Sequence, residues 1–315
     1  MINKRTLVGL MAAAALLGTT SISFAADKPY IAIVCKGFQA EFWQAVKAGA
    51  EQAAKKFNVD MTFEAPATEG SVDQQIDLLS TELAKHPAAL GIAAIDSKAV
   101  IPALQKFQDA KIPVIGFDSG VDSDIPVTTA STDNLASTAL AADKLANLIG
   151  GAGEVAVISF DQTSQTGIQR RDGFLNEIKA KYPNIQVVDV EYINGGDPNV
   201  ADDMTKTMLL GHPNLKAIFA TNEPTAIGAG LAKKETNSKV VVVGYDSGAP
   251  QIADIKDGTL AGSITQNPVG IGYDVVKAAV DIINGKSVDK HIDTGFYWYD
   301  KTNIDDPKIK ANLYQ

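Results

Sequence analysis

The 315-residue chain is predicted to be an α/β protein with two similar, doubly wound parallel-sheet domains. Short apolar segments alternate with amphipathic helical segments along almost the whole chain. Strands separated by helices of about 10–15 residues are typical of parallel sheets covered on both faces. The number of such strands exceeds the roughly ten that one open sheet accommodates, so two domains are expected.

In the first half, strands are predicted where apolar residues cluster or alternate, and helices where they recur every three to four residues. In the segment 41–57, for example, Phe42, Val46 and Ala50 share one helical face. The predicted strands are 30–35, 59–64, 88–94, 112–117 and about 127–130, and the predicted helices are 41–57, about 71–85 and 97–110.

The second half repeats this alternation and is therefore predicted to form the second sheet. Its first strand follows a glycine-rich turn at 150–153. The predicted strands are 154–160, 186–192, 216–220, 239–244, 260–265 and 291–297, and the predicted helices are 134–149, about 164–181, 198–210, 224–234, 247–256 and 269–283.

The first 25 residues are predicted to be a cleaved secretory signal peptide. Lys4 and Arg5 precede the apolar run 7–17, and small residues follow at Ser23 and Ala25, which is the order found in signal peptides. The apolar run of about 11 residues is too short for a membrane anchor, which needs roughly 20. Since no cysteine near the cleavage site could carry a lipid, we expect an unanchored protein in a Gram-negative periplasm.

The composition argues against a nucleic-acid-binding protein. The chain has 28 basic and 37 acidic residues, a net charge of −9, and removal of Lys4 and Arg5 leaves 26 basic residues and a net charge of −11. No basic cluster offsets this acidity, so no nucleic-acid partner is expected. The single cysteine, Cys35, excludes an internal disulfide and is interpreted as a small core residue.

Polar and aromatic residues follow most predicted strands, at the edge where ligands bind in such sheets. Aspartate, asparagine, glutamine and arginine form paired hydrogen bonds that suit adjacent sugar hydroxyls. Aromatic faces suit the C–H faces of a sugar ring. We therefore predict a sugar-type ligand site with the candidate residues Lys36, Phe38, Gln39, Phe42, Trp43, Asp118, Ser119, Arg170, Asn222, Tyr245, Asp246 and Gln266.

The polar candidates have alternative interpretations. Asp118 and Asp246 precede turn residues, and aspartate also caps helices and stabilises turns without touching a ligand. Of the neighbours Arg170 and Arg171, one is expected to point inward, and the helical register favours Arg170. Lys36 contacts either ligand or solvent.

The aromatic candidates have alternatives as well. Phe42 and Trp43 are adjacent on a predicted helix and point about 100° apart, so only one is expected to face the ligand fully, and both could be core residues. The aromatic segment 296–299 lies at a probable strand end, where we expect it to pack or to cover a hinge.

Nothing in the sequence indicates an enzyme, so no catalytic residue, metal site or cofactor is expected. His86, His212 and His291 do not follow the carboxyl end of a predicted strand, and no cluster has metal-ligand spacing. The chain contains no Walker loop, no dinucleotide fingerprint after the first strand and no nucleophile elbow.

Several short segments occur in the order seen in one known family, over nearly the whole mature chain. They are Phe42-Trp43, 116–119, 131–134, 170–174, 220–223, 243–246 and 264–266. Through them the chain resembles the periplasmic sugar-binding proteins of the ribose- and galactose-binding group, the receptors of ABC importers, which have the type I periplasmic binding protein fold. Sugar-responsive repressors share this fold, but they carry an N-terminal DNA-binding module where this chain has its predicted signal peptide.

The resemblance implies two domains joined by a three-stranded hinge that close around a ligand. The first would comprise 26–131 plus about 267–293, and the second 132–266 plus about 294–315. It also implies a monomer that is read by a membrane permease and, as an open alternative, by a chemoreceptor. In this family the sugar would be bound by Asp118, Arg170, Asn222, Asp246 and Gln266, with Phe42, and with Trp43 or Tyr245, stacking on its ring.

Several positions depart from the ribose-binding pattern, so the sequence leaves the identity of the sugar open. The departures are Lys36, Ala40, Ala93, Ser119 and Gly195-Gly196. Lys36 with Gln39 could contact a different hydroxyl, a keto group or an anionic group. The pair Lys36 and Asp118 is also similar to a feature of receptors for the furanose quorum signal autoinducer-2. Autoinducer-2 is therefore kept as an alternative ligand.

Overall fold

A computed structural model of the chain describes residues 28–38 and 40–314. The predicted signal peptide and the candidate residue Gln39 lie outside the described residues. Two six-stranded sheets flanked by helices confirm the predicted fold class.

The bounds of the elements follow the predicted alternation closely. The strands are β1 (Tyr30–Val34), β2 (Asp60–Glu64), β3 (Ala89–Ile92), β4 (Val114–Phe117), β5 (Thr128–Ser131), β6 (Gly153–Ser159), β7 (Ile185–Tyr192), β8 (Leu215–Ala220), β9 (Val241–Tyr245), β10 (Gly262–Gln266), β11 (His291–Asp293) and β12 (Phe296–Tyr299). The helices are α1 (Glu41–Phe57), α2 (Val72–Ala84), α3 (Ile101–Asp109), α4 (Asn134–Leu148), α5 (Gln165–Lys181), α6 (Pro198–Gly211), α7 (Glu223–Thr236), α8 (Ala249–Asp257), α9 (Pro268–Ile283) and α10 (Pro307–Lys310).

The two sheets have the same strand order. One sheet runs β11-β5-β4-β3-β1-β2 and the other runs β12-β10-β9-β8-β6-β7. All paired strands are parallel except β10 and β12, which are antiparallel. We call the first sheet with α1, α2, α3 and α9 lobe one, and the second with α4 to α8 lobe two. The shared order places the carboxyl ends of both sets of parallel strands toward a common cleft.

The chain passes between the sheets at three points: after β5, after β10 and between β11 and β12. After the second passage, α9 packs closely along α1 in lobe one. This approach requires glycine, because a Cβ at Gly272 would lie 1.8 Å from the carbonyl oxygen of Val46 and one at Gly49 would lie 2.0 Å from that of Val269. The close α1–α9 contact therefore fixes the returning chain on lobe one.

The single strand predicted over 291–297 is wrong, because the structure divides this segment between the sheets. β11 pairs with β5 in lobe one, whereas β12 pairs antiparallel with β10 in lobe two. Gly295 separates them with a φ of +79°, a left-handed conformation that interrupts an extended strand. In the aromatic segment, Trp298 and Tyr299 are buried, which confirms packing for these two residues.

Both sheets are buried on both faces, which explains their nearly continuous apolar strands. Cys35 is buried and unpaired in lobe one, as predicted. Within residues 28–38 and 40–314, no helix combines the length and the apolar character needed to cross a membrane.

Candidate functional site

A small cavity lies between the lobes, at the carboxyl ends of their parallel strands. Both lobes contribute to its wall, and most of the contributing residues follow a strand directly or open the next helix. The lining residues are Lys36, Ala40, Phe42, Trp43, Glu69, Asp118, Phe160, Thr166, Arg170, Asn222, Glu223, Pro224, Asp246 and Gln266.

Lobe one supplies the aromatic part of the wall. Phe42 and Trp43 both line the cavity and pack edge to face, with ring centroids 5.0 Å apart. The Trp43 indole Nε1 donates a hydrogen bond to Glu69 Oε1 at 2.7 Å, which fixes both side chains. The rings are also part of the core of lobe one, which confirms the core interpretation, and both residues border the cavity.

Lobe one also supplies the charged pair Lys36 and Asp118. Lys36 is 2% exposed and crosses to lobe two, where its Nζ donates to Thr166 Oγ1 at 3.1 Å and lies 4.5 Å from the centre of the Phe160 ring. The Asp118 side chain accepts no hydrogen bond from the described residues. Its carboxylate is therefore available to donors in the cavity.

In lobe two, Arg170 is held by a set of buried contacts. Its Nε donates to Asn134 Oδ1 at 2.8 Å, and its Nη1 donates to the carbonyl oxygen of Thr221 at 3.0 Å. The guanidinium lies 3.9 Å from the centre of the Tyr245 ring, and its Nη1 lies 3.9 Å from Asp246 Oδ2. The register argument for Arg170 is confirmed, because Arg171 instead contacts Asp172 and Tyr192.

Asp246 joins three neighbouring strand ends of lobe two. Its Oδ1 accepts from Gln266 Nε2 at 2.7 Å, and its Oδ2 accepts from the Glu223 backbone N–H at 3.0 Å. Gln266 Oε1 in turn accepts from Thr132 Oγ1 at 2.8 Å. Asn222 caps α7, with Oδ1 accepting from the Thr225 N–H at 3.1 Å. The capping interpretation, made for Asp118 and Asp246, applies in part to Asp246, whose Oδ2 accepts from the first N–H of α7, whereas the cap of α7 itself is Asn222.

Three predicted residues do not line the cavity. The Phe38 side chain is 38% exposed and packs beside Phe63. Ser119 lies behind the wall, where its Oγ is 3.4 Å from Thr166 Oγ1 of lobe two. Tyr245 lies beneath Arg170 and shares a hydrogen bond with Ser137. Their positions favour support of the wall over direct contact with a ligand.

Sequence reasoning missed several wall residues. Glu223 and Phe160 stand at the ends of predicted strands, so their positions alone could have marked them as candidate wall residues. Glu69 lies in the loop after β2, and Thr166 lies in the first turn of α5, and neither carries a local pattern. Only the closure of one lobe on the other brings these residues to the cavity.

The cavity wall carries more acid than base. Burial raises the pKa of Asp118, although the charges of Lys36 and Arg170 oppose this shift. Burial likewise raises the pKa of Glu69, against the opposing charge of Lys36. Burial, reinforced by the charge of Asp246, raises the pKa of Glu223 to about 8. Each carboxyl group is thus costly to keep ionised unless it meets a hydrogen-bond donor or a cation.

A second set of contacts joins the lobes at the rim. Glu41, at the start of α1, accepts from the Ala249 N–H of α8 through Oε2 at 2.6 Å. The Glu41 N–H in turn donates to Glu223 Oε1 at 3.4 Å. The residues that precede these helices, Ala40 and Gly248, offer no side-chain cap. Each helix N-terminus therefore receives its acceptor from the opposite lobe.

The arrangement suits binding of a polar ring. Planar acceptors and donors surround the cavity, two aromatic rings close one side, and burial strengthens each hydrogen bond. Among the described residues, no group of three or more histidine, cysteine, aspartate and glutamate side chains has the geometry to hold a metal ion.

Comparison with known proteins gives consistent matches. Residues 31–287 match the family described as "Periplasmic binding protein domain". The ribose import binding protein of Salmonella typhimurium is 29% identical over 295 residues, covering 91% of this chain and 95% of that protein.

Two solved structures are similar over nearly their full length. One is an ABC transporter solute-binding protein from Agrobacterium vitis with bound D-fucose, which is 33% identical to this chain. The match covers 90% of this chain and 100% of that protein, with a TM-score of 0.87. The other is a carbohydrate transporter solute-binding protein from Agrobacterium radiobacter in complex with D-arabinose, which is also 33% identical. The match covers 92% of this chain and 100% of that protein, with a TM-score of 0.86.

Proposed function

The chain belongs to the periplasmic binding protein domain family, and we propose that it captures a monosaccharide or a similar polyhydroxylated ligand for uptake by an ABC importer. One observation carries this proposal: a cavity between the lobes is lined by strand-end polar groups from both of them. The relatives bind ribose, D-fucose and D-arabinose by their names, which supports a sugar of this size.

The proposed binding contacts follow from the wall. Asp118, Asn222 and Asp246 offer acceptors to ligand hydroxyls, Arg170 and Lys36 offer donors, and Phe42 or Trp43 packs on the apolar face of the ring. Gln266 holds Asp246 in position and completes the polar surface.

Selectivity follows from closure of the lobes. When the lobes come together, ligand hydroxyls lose water and must be matched by groups of the wall. A hydroxyl in the wrong position leaves a buried polar group unsatisfied, at a cost of roughly 1–3 kcal/mol. Binding, without chemical change of the ligand, is sufficient for this function, and the relatives are binding proteins.

The proposed setting is the periplasm of a Gram-negative cell, reached through the predicted signal peptide. The closed form differs in shape from the open form, so a membrane permease could recognise it. A chemoreceptor is the alternative partner that would recognise the closed form. The protein is proposed to act as a monomer, without nucleic acid or cofactor.

A thermal-shift screen of residues 26–315 tests the proposal. The panel contains D-ribose, D-allose, D-fucose, D-arabinose, D-tagatose, ribitol and autoinducer-2. At 100 times its dissociation constant, a ligand that binds only the folded protein adds about 2.7 kcal/mol, which raises the Tm by roughly 5 °C or more. One or a few sugars are expected to reach this shift.

The screen also separates the two ligand classes. A shift with autoinducer-2 alone would favour the signal-receptor alternative, which draws support from Lys36 and Asp118 in one cavity. No shift with any neutral sugar, polyol or autoinducer-2 would overturn the proposal.

A further inference from the structure

We propose that Glu223 determines specificity by accepting a hydrogen bond from one hydroxyl of the bound sugar, so that the cavity favours uncharged sugars over anionic ones. This inference rests on the proposed function, and its test distinguishes failure of Glu223 from failure of sugar binding.

The position of Glu223 is set by the fold. It is the first residue of α7, its side chain lines the cavity, and it is 5% exposed. Its backbone N–H is fixed by Asp246 Oδ2 at 3.0 Å. The carboxylate is therefore held at the wall by its own helix and by the neighbouring strand end.

The two oxygens of the Glu223 carboxylate have different surroundings. Oε1 accepts a long hydrogen bond of 3.4 Å from the Glu41 N–H of lobe one. Oε2 is buried and has no hydrogen-bond partner among the described residues. A buried carboxylate oxygen without a donor is unfavourable, so the remaining donor is expected from a molecule in the cavity.

The rest of the wall points to the same ligand chemistry. Asp118 likewise accepts no hydrogen bond from the described residues. Arg170 uses Nε and Nη1 for Asn134 and the carbonyl oxygen of Thr221, and Lys36 donates to Thr166, while their remaining N–H groups are open to ligand acceptors. Sugar hydroxyls both donate and accept, so they match the free acceptors of Glu223 and Asp118 as well as these donors.

The charges of the wall act in the same direction. The ionisable lining residues of the described chain are four carboxylic acids, Glu69, Asp118, Glu223 and Asp246, against two cations, Lys36 and Arg170. Above the raised pKa of Glu223, a carboxylate or phosphate on the ligand would add a like charge to this buried set. Like charges at short distance in a low-dielectric site repel strongly, which disfavours anionic sugars.

Glu223→Gln tests the hydrogen bond directly. Glutamine replaces one of the two carboxylate oxygens by an NH2 donor, so the side chain can no longer present an acceptor both to the Glu41 N–H and to the ligand hydroxyl. Calorimetric titration with the tightest-binding neutral sugar of the panel is expected to show at least a tenfold loss of affinity. Glu235→Gln is the matched control, because it lies on the same helix with its carboxylate paired to Lys206 at the surface, and it should change affinity less than twofold.

Monodeoxy analogues of that sugar separate a ligand contact from an effect on lobe closure. In the wild type, the analogue that lacks the hydroxyl facing Glu223 should bind at least tenfold more weakly than the parent sugar. In Glu223→Gln, the same pair should differ by threefold or less. Equal losses in both proteins for every analogue, or an unchanged affinity of Glu223→Gln, would overturn the inference.

The charge selectivity has its own readout. At about pH 9, above the raised pKa of Glu223, a phosphate ester of the same sugar should bind the wild type at least 100-fold more weakly than the parent, and this ratio should narrow at least tenfold in Glu223→Gln. Because the bulk of the phosphate is the same in both proteins, the change in ratio reports charge. An unchanged ratio contradicts the inference, whereas absence of binding by every neutral sugar contradicts the proposed function instead.

Discussion

Two loops with nearly the same sequence occupy equivalent places in the two lobes. Residues 114–120 read Val-Ile-Gly-Phe-Asp-Ser-Gly, and residues 242–248 read Val-Val-Gly-Tyr-Asp-Ser-Gly. Each contains residues of the fourth strand of its lobe and the aspartate that directly follows this strand, which lines the cavity. Both aspartates are left-handed, with φ of +54° for Asp118 and +78° for Asp246, a conformation that costs energy in residues other than glycine.

The surroundings of the two aspartates differ. The Asp246 carboxylate is fixed by Gln266 and by the Glu223 N–H, and Arg170 lies beside it. The Asp118 carboxylate accepts no hydrogen bond from described residues, and its closest oppositely charged neighbours are Lys36 and Arg170. Nearly identical local sequence thus gives the same left-handed backbone at the aspartate but different side-chain partners.

This difference suggests a division of labour. Lobe two holds a preassembled polar surface, whose groups need little rearrangement on binding. Lobe one contributes aromatic rings and an aspartate whose partners would come from the ligand. We therefore expect changes in lobe two to affect both stability and affinity, and changes in lobe one to affect mainly affinity.

The largest effect is expected for Arg170→Met. The substitution removes the ligand contact and leaves Asp246 buried without its cation, which destabilises by about 3 kcal/mol in comparable sites. Affinity should fall by more than about 100-fold, or about 2.7 kcal/mol. Calorimetry measures the affinity and urea denaturation the free energy of unfolding. Arg171→Met is the neighbouring control, and equal losses in both variants would remove Arg170 from the site.

The paired variants Asp246→Asn and Asp118→Asn test the comparison itself. Each should weaken binding by about tenfold or more, because a charged acceptor of a ligand hydroxyl is replaced. Asp246→Asn should also lower the free energy of unfolding by about 1–2 kcal/mol, because the amide cannot accept from both of its protein donors. Asp118→Asn should change it by about 0.5 kcal/mol or less.

Urea denaturation of both proteins without ligand measures this contrast. The division between the lobes fails if Asp118→Asn destabilises the protein as much as Asp246→Asn does.

A smaller effect is expected for Lys36→Met, which removes the contact with Thr166 across the cleft. If Lys36 acts through closure, the affinity for every sugar that binds should fall by a similar factor of about five, or about 1 kcal/mol. A loss confined to one sugar would make Lys36 a specificity residue. Titration of the sugars that bind decides between these outcomes, and an unchanged affinity for all of them would place Lys36 outside the mechanism.

The smallest effect is expected for Glu41→Ala, which removes the rim contact with α8. An acid at a helix N-terminus contributes about 0.3–1 kcal/mol, so affinity should fall about threefold without a change in sugar preference. Glu51→Ala, on the same helix but exposed, is the control. Small-angle scattering with saturating sugar should show that the variant still closes, and a loss of closure would give Glu41 a larger role than proposed.

Much of the fold could be predicted because local patterns carry it. The apolar run before Lys36 predicts β1, and the helical spacing of Phe42 and Val46 predicts α1, in each case without reference to the rest of the chain. The segment around Gly295 could not be read in this way. Its two halves have similar β-forming sequences, and only their pairing partners, β5 and β10, assign them to different sheets.

The candidate site was partly predictable for the same reason. Strand ends in parallel sheets face one edge, so Asp118, Asn222 and Asp246 were found from their positions. Glu69 and Thr166 were missed because their places depend on loop paths and on contact between the lobes. Tyr245 was expected to touch a ligand, but its ring supports Arg170 from behind.

The sequence by itself determined the strand–helix alternation, the positions of the polar strand ends and the arginine that points inward. These properties depend on residue periodicity within one element, which short-range sterics and burial control. The tertiary structure alone decided which carboxylates acquired protein donors and which helix ends were capped from the opposite lobe. It also divided residues 291–299 between the sheets, because such pairings depend on atoms far apart in the chain that meet only when the lobes assemble.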